Sequence, residues 1–434
     1  MLAFRMKRPQ ATVEFDKALS AKFDAERWGP NGRDLLQKAS GMRERMKEAS
    51  QSYSAKGADE CREVMGRYQA LIFQVEHVCT GLSLKDCNLE FKWDDAFEQS
   101  VTHMEADLGF ERASVLFNLA AAISFLGNNV DRTAEGGSKI ACNLYQQSAG
   151  ALDECLSIVR AAPWVASADL SADTLGVLSS LMLAQAQKCF VEKAEADGMA
   201  TGILAKLTAE CAALYDAVWR GFEEARARGR PISKMSDDWL KVVDYNRRMW
   251  DGMQHFHCAR AHADAHEYGK ALARYTYAVN KTAEAVNEAK DAAPVLQEQF
   301  KRAHATCKEA YDKAKKDNDL VHYEKVPHID TLPKPQRHCL VKPQKPEEVS
   351  GVEAPTPMPA AVSRGPSGAL ADGLGGMALG GGGGEPPPPS FEQAEEAGLA
   401  ELVAMGFGRD AAAAALKKSG GSVQAAADLL LSQS

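Results

Sequence analysis

Two repeat lengths compete along this chain. The longer one, near 3.6 residues, dominates. Glu111 to Leu126 places Val115, Leu119 and Ile123 on one face, with Leu116 and Ala120 beside them. Thr174 to Glu195 reads as a second long helix, with Ser171 ahead of Asp173 and Thr174 as a capping pattern. Asp197-Gly198 breaks the pattern, and a third helix runs from about Met199 towards Arg226. Long helices joined by a short turn lie antiparallel. Another pair is expected from Asp237 to Ala289, broken near Glu267-Tyr268-Gly269, with small residues at Cys258-Ala-Arg-Ala and around Ala271 where helices pack closely. The shorter repeat, of two residues, occurs in Leu2, Phe4, Met6 and again in Leu89, Phe91, Trp93; these runs are expected to pair as a minor sheet.

The pattern stops near residue 346. Pro355, Pro357 and Pro359 precede a glycine-rich run from Gly373 to Gly384 and then Pro386 to Pro389. Residues 346–390 bury too little apolar surface to offset ordering, so a tether is expected. Its proline run is a candidate ligand for an SH3-type partner, against the commoner role of a spacer. Periodicity returns at 391–434, where three short helices are expected: Leu399, Leu402 and Val403 on the first, Ala411 to Lys418 as the second, and Val423, Ala427 and Leu430 on the third.

Composition narrows the function. The 434 residues are 45% hydrophobic and 25% charged, with only 7% aromatic, which favours an Ala- and Leu-rich helical core. The formal charge of -8 argues against a nucleic-acid partner, which needs a Lys/Arg surplus. Ten scattered cysteines without a CxxC pair read as reduced thiols in a reducing, cytoplasmic setting. Ala113 to Leu126 is the longest nearly apolar stretch and falls short of a membrane span, and Met1 to Gln10 is too charged for a secretory signal. His255, His257, Cys258, His262 and His266 cluster, but Ala263 stands where a zinc-protease motif needs Glu. No phosphate loop or nucleophile–base arrangement stands out, so neither an enzyme nor a cofactor nor a metal is expected.

The C-terminal segment resembles the ubiquitin-associated (UBA) domain in Met405-Gly406-Phe407, Ala415-Leu416, the Gly420-Gly-Ser-Val423 turn and the closing Ala-Ala-Asp-Leu-Leu run. The resemblance implies that Met405, Gly406 and Phe407, with Leu429 and Leu430, contact ubiquitin. Further blocks resemble the Bro-one (ALIX-like) domain family: Phe91-Lys-Trp-Asp-Asp-Ala-Phe97, Leu108 through Ala121, Asp173-Thr-Leu-Gly176 with Leu181 to Gln187, and Ala314 to Asp319 running into Val326-Pro327. They cover about residues 1–345. The implied fold is all-α: a curved helical body with tetratricopeptide-like helix pairs and a small sheet, plus the three-helix UBA bundle.

That resemblance also implies a partner, the C-terminal amphipathic helix of an ESCRT-III subunit of the Snf-seven type. Its apolar patch maps onto Phe190, Met199, Ile203 and Leu207, the last three spaced four apart and expected to share an exposed face, with Lys193 and Lys139 as polar contacts. The implied role is an adaptor between ubiquitinated cargo and ESCRT-III, reaching endosomes through its partners. A scaffold recruiting a deubiquitinase or signalling protein is the competing expectation. His322 aligns with a tyrosine that is phosphorylatable in the family, and Tyr323 follows it.

Overall fold

The structure, a computed structural model, describes residues 1–19, 22, 31–51, 57–229, 232, 237–346, 409–419 and 426. The chain divides into two compact units, Met1–Val352 and Glu353–Ser434. In the first, helix α1 (Phe15–Leu19) follows strand β1 (Arg8–Pro9), and α2 (Gly32–Gln51) and α3 (Ala58–Val78) come next. Strands β2 (Phe91–Asp94) and β3 (Thr102–Glu105) precede the long helices α4 (Leu108–Asn129), α5 (Gly137–Ala161), α6 (Ala172–Ala196), α7 (Thr201–Ala227), α8 (Asp237–Asp264), α9 (Tyr268–Glu288) and α10 (Pro294–Asp317).

Helix α4 forms the centre because it is apolar all round. Val115, Leu116, Phe117, Ala120 and Ile123 are all buried. Asp107 caps its start, accepting from the Phe110 N–H at 3.0 Å. The helix runs five residues before and three residues past the apolar stretch Ala113 to Leu126 visible in the sequence. Among the described residues it alone is long and apolar enough to cross a membrane, yet it lies inside the fold. Each long helix packs on its neighbour in sequence, from α3 through α10. Short connections produce this order, since consecutive helices become antiparallel partners. The expected small residues fill the α8–α9 seam: Ala259, Ala271 and Ala278 join Phe256, Tyr275 and Cys307 in one core cluster.

The sheet differs from expectation in one strand. Its order is β1-β2-β3, all antiparallel, with Arg8 opposite Asp94 and Phe91 opposite Glu105. Leu2 to Met6 is not part of it. That segment alternates because Phe4 and Met6 are buried while Arg5 is exposed, with the Phe4 ring edge-on to Phe117 at 5.2 Å. Its backbone is held by side chains instead. Gln185 bonds both backbone groups of Leu2, and Asn118 both of Lys7.

Behind the sheet sits a sealed polar hub. Glu111 accepts from Arg43 Nε (2.7 Å), Tyr68 Oη (2.9 Å) and Trp93 Nε1 (2.6 Å). Lys7 meets Asp169 at 2.5 Å. Both ion pairs are fully buried, so each carboxylate needs this full set of donors to offset its lost hydration.

In the second unit, α11 (Arg409–Lys418) coincides with the helix expected from Ala411 to Lys418, and Ala412, Ala415 and Leu416 are buried.

Candidate functional site

Helix α6 is packed between α5 and α7, and the turn from α6 to α7 is closed by its own sequence. Gly198 takes φ +66°, a left-handed conformation that costs glycine little. Its N–H bonds Glu195 O at 3.1 Å, and the Met199 N–H bonds Ala194 O at 3.0 Å, which satisfies the terminal carbonyls of α6. At the other end Ser171 caps α6 by accepting from the Thr174 N–H.

A strap crosses one face of these three helices. After α10 the chain turns back in extended form. The His338 N–H bonds Lys206 O on α7 (3.3 Å) and Arg337 pairs with Glu210 (3.8 Å). It then reaches α5, where Lys342 N–H meets Gln146 Oε1 (3.0 Å) and Gln344 N–H meets Gln146 O (2.9 Å). Gly150 makes this landing possible, because a Cβ there would lie 1.9 Å from Gln344 O. Leu340 and Val341, within the strap, are buried.

The strap identifies which residues face one way. On α5 the strap lands on Gln146 and Gly150, four apart, and Lys139 lies within about 20° of both round the helix, whereas Ile140 lies about 80–120° away. On α7 a spacing of three and four joins Ile203, Lys206 and Glu210. The strap therefore marks a common face that carries Lys139 on α5 and Ile203, Lys206 and Glu210 on α7, and Ile140 is turned off it. Phe190 lies on α6, the helix between them, and the strap bounds this face, the groove, at one end.

The expected patch is therefore partly wrong. Leu207 is 1% exposed and Phe190 9%, so neither is an exposed anchor. Each four-residue step along a helix overshoots a full turn by about 40°. From Ile203 to Leu207 that drift turns the side towards α6, where Gln187 Nε2 donates to Leu207 O at 3.1 Å. Met199 precedes the first residue of α7 and is half-buried, as is Ile203. Lys139 is exposed on α5. Lys193 is held by Asp197 at 2.6 Å. Ile140, 54% exposed, is turned away from the strap's landing on α5 and does not join this face. What the sequence did not reveal is the strap itself, whose extended residues carry no periodic pattern.

The histidines are engaged separately. His257 meets Glu195 at 2.9 Å, His262 meets Glu267 at 2.6 Å, and His266 meets the Tyr268 hydroxyl at 2.9 Å. His255 is pushed down to about 3 by burial and by Arg274. Among the described residues no group of three His, Cys, Asp or Glu side chains is placed to hold a metal. His322 stacks on Tyr268 at 3.5 Å, which leaves Tyr323 74% exposed at φ +51°. Met405, Gly406, Phe407, Leu429, Leu430 and the proline run at 386–389 lie outside the described residues.

The BRO1-like domain family matches residues 1–363, and the UBA/TS-N domain family matches residues 395–430. The vacuolar protein-sorting protein bro-1 of Neurospora crassa is 34% identical over 257 residues, 56% of this chain and 25% of its own length. The ALG-2 interacting protein X of Dictyostelium discoideum is 27% identical over 348 residues, 79% of this chain and 42% of its own. The chain thus spans less than half the length of either relative. A solved structure described as an ALIX BRO1 CHMP4C complex superposes with TM-score 0.69 at 24% identity, covering 80% of this chain and 95% of that one, so the helical fold is the same.

Proposed function

The chain belongs to the BRO1-like domain family and carries a UBA domain, and from that premise we propose that it is a non-enzymatic adaptor joining ubiquitinated cargo to ESCRT-III during endosomal sorting. The observation that carries this reading is the groove over α6. It presents the half-buried Ile203 of α7 and Met199 of the turn before it, with Lys139 and Lys206 on the flanking helices. This is the chemistry of a helix-in-groove site, apolar inside and charged at the edge. The superposed ALIX domain is described in complex with CHMP4C, and relatives are named for vacuolar sorting, which supports an ESCRT-III subunit as the occupant. The UBA match supports ubiquitin as the second ligand, through Met405, Phe407 and Leu430. Recruitment to endosomes then follows from the partners.

The test is a titration of the full chain with a labelled C-terminal helix peptide of a Snf-seven-type subunit. Ile203→Asp buries an unpaired charge in the complex and weakens binding by about 30-fold, about 2 kcal/mol. Its melting temperature falls by no more than about 4 °C, because Ile203 is half-exposed in the free protein. Unchanged affinity overturns the groove reading. In parallel, Met405→Ala abolishes the ubiquitin-induced shifts in the C-terminal unit; shifts equal to wild type overturn the assignment of that surface.

A further inference from the structure

The strap cuts the groove short. Its His338 N–H bonds the carbonyl of Lys206, so along α7 the open part runs only from Met199 to Lys206. Seven steps at 1.5 Å each give about 10 Å, or two helical turns. Isolated helices shorter than about 12–15 residues are marginal in water, so a helical partner brings about twice that length. The surplus either overhangs the α6–α7 turn or meets the strap.

The strap is held unevenly along its length. From Pro333 to Pro346 it has no helix or strand, and of its side chains Leu340 and Val341 are the buried ones. At its start Arg274 Nη2 donates to the Pro333 carbonyl at 2.6 Å, and Arg274 is only 2% exposed, so water does not reach that hold. Further on the holds are longer or stand nearer water. The His338 N–H to Lys206 O distance is 3.3 Å, and Arg337, itself exposed, reaches Glu210 at 3.8 Å. Beyond lie the Lys342 and Gln344 amides, which both depend on the single residue Gln146. Such a segment opens by pivoting at Pro333 and peeling from His338 onward. Peeling frees the α5 and α7 surface that Leu340 and Val341 cover, an apolar seat in line with Ile203.

We infer that the strap is a displaceable lid on the groove. Closed, it holds the site to a two-turn footprint. A longer amphipathic helix pushes it off α7 and α5 and seats its own aliphatic side chains where Leu340 and Val341 were. The inference rests on the helix-in-groove reading above, and it adds the length of the partner and the regulation of the site. Because the long footprint exists only while the strap is open, closure lowers the apparent affinity for a long helix, and loosening the strap raises it.

Two stapled helices with the C-terminal sequence of a Snf-seven-type subunit, of two and four turns, are added at saturation to the full-length chain while amide exchange is followed. The four-turn helix speeds exchange at Lys342 and Gln344 by about 10-fold or more, and the two-turn helix leaves both unchanged. A four-turn helix that binds and leaves both amides protected overturns the inference and leaves the groove reading standing. The chain carrying Leu340→Ser with Val341→Ser binds the four-turn helix about 5-fold tighter than wild type and the two-turn helix within about 2-fold. Equal or weaker binding of the four-turn helix also overturns the inference. Should that variant melt more than about 4 °C below wild type, the exchange result on the unaltered chain decides. If Ile203→Asp binds both helices as wild type does, or wild type binds neither, the groove reading falls and the inference with it.

Discussion

Charged residues occupy two very different places in this fold. Behind the sheet, Glu111 and Asp169 are shut away from water, and each is saturated by donors from several elements. Along the groove, Glu192, Lys193, Asp197 and Glu210 are at least partly exposed and each is paired, Glu192 with both Arg132 and Lys188, while Lys139 and Lys206 have no carboxylate within ion-pair distance among the described residues. The first kind fixes the relative placement of β2, α2, α3 and α4 and has nothing left to offer a ligand. The second contributes little to folding, because exposed pairs are worth about 0–1 kcal/mol, and stays available to a partner. Where charge is committed, the surface is inert; where it is loosely held, the surface is ready to bind.

Breaking the sealed hub has the largest expected effect. Glu111→Ala leaves the buried Arg43 guanidinium without its carboxylate and costs about 3–5 kcal/mol in chemical denaturation, with helix-peptide affinity of the surviving folded fraction unchanged. Equal stability to wild type means the hub is not structural. The opposite pattern belongs to Ile203→Asp, where about 2 kcal/mol is lost in binding and little in folding. A variant that loses both equally erases the distinction between the two regions.

Gly150→Val sharpens the comparison at the groove's closed end. Its Cβ meets Gln344 O, so the strap lifts at a cost of about 1–3 kcal/mol. Hydrogen exchange at Lys342 and Gln344 then accelerates while amides of α4 stay protected; unchanged protection at those two positions contradicts the landing described here.

His255 is an intermediate case, partly buried beside Arg274, whose guanidinium contacts it at 3.3 Å. Its folded pKa, near 3, lies below the unfolded value of about 6.5. Between those values the unfolded chain binds the extra proton, so stability is full above about pH 6.5 and falls as pH drops. The loss reaches at most about 2 kcal/mol at pH 5. Melting curves from pH 7 to 5 on wild type and His255→Gln check this: the variant has the shallower slope, and parallel slopes refute the assignment.

Helices were legible because amphipathic periodicity is a local property. Thr174 to Glu195 lies within α6, and Ser171 caps it as its position implies. The groove was half legible. Four-residue spacing identified Ile203 but extended one step too far to Leu207, because a helix turns in 3.6 residues rather than four. The strap's landing on Gln146 and Gly150 was not legible, because its residues lie 194 or more positions away in sequence. The alternation of Leu2 to Met6 came from burial against helices rather than from strand pairing, and period two alone does not separate those causes.

The strap also sets a clock. At synthesis rates of about 5–20 residues per second, about 120 residues separate the end of α7 from Gln344, a delay of about 6 to 24 s. Through that interval α5, α6 and α7 are already made, yet the end of the groove is unfenced and the α5 and α7 surfaces that Leu340 and Val341 cover lie bare. A nascent chain therefore presents more bare apolar surface there than the finished protein, and passing chaperones have their chance at it before the strap arrives.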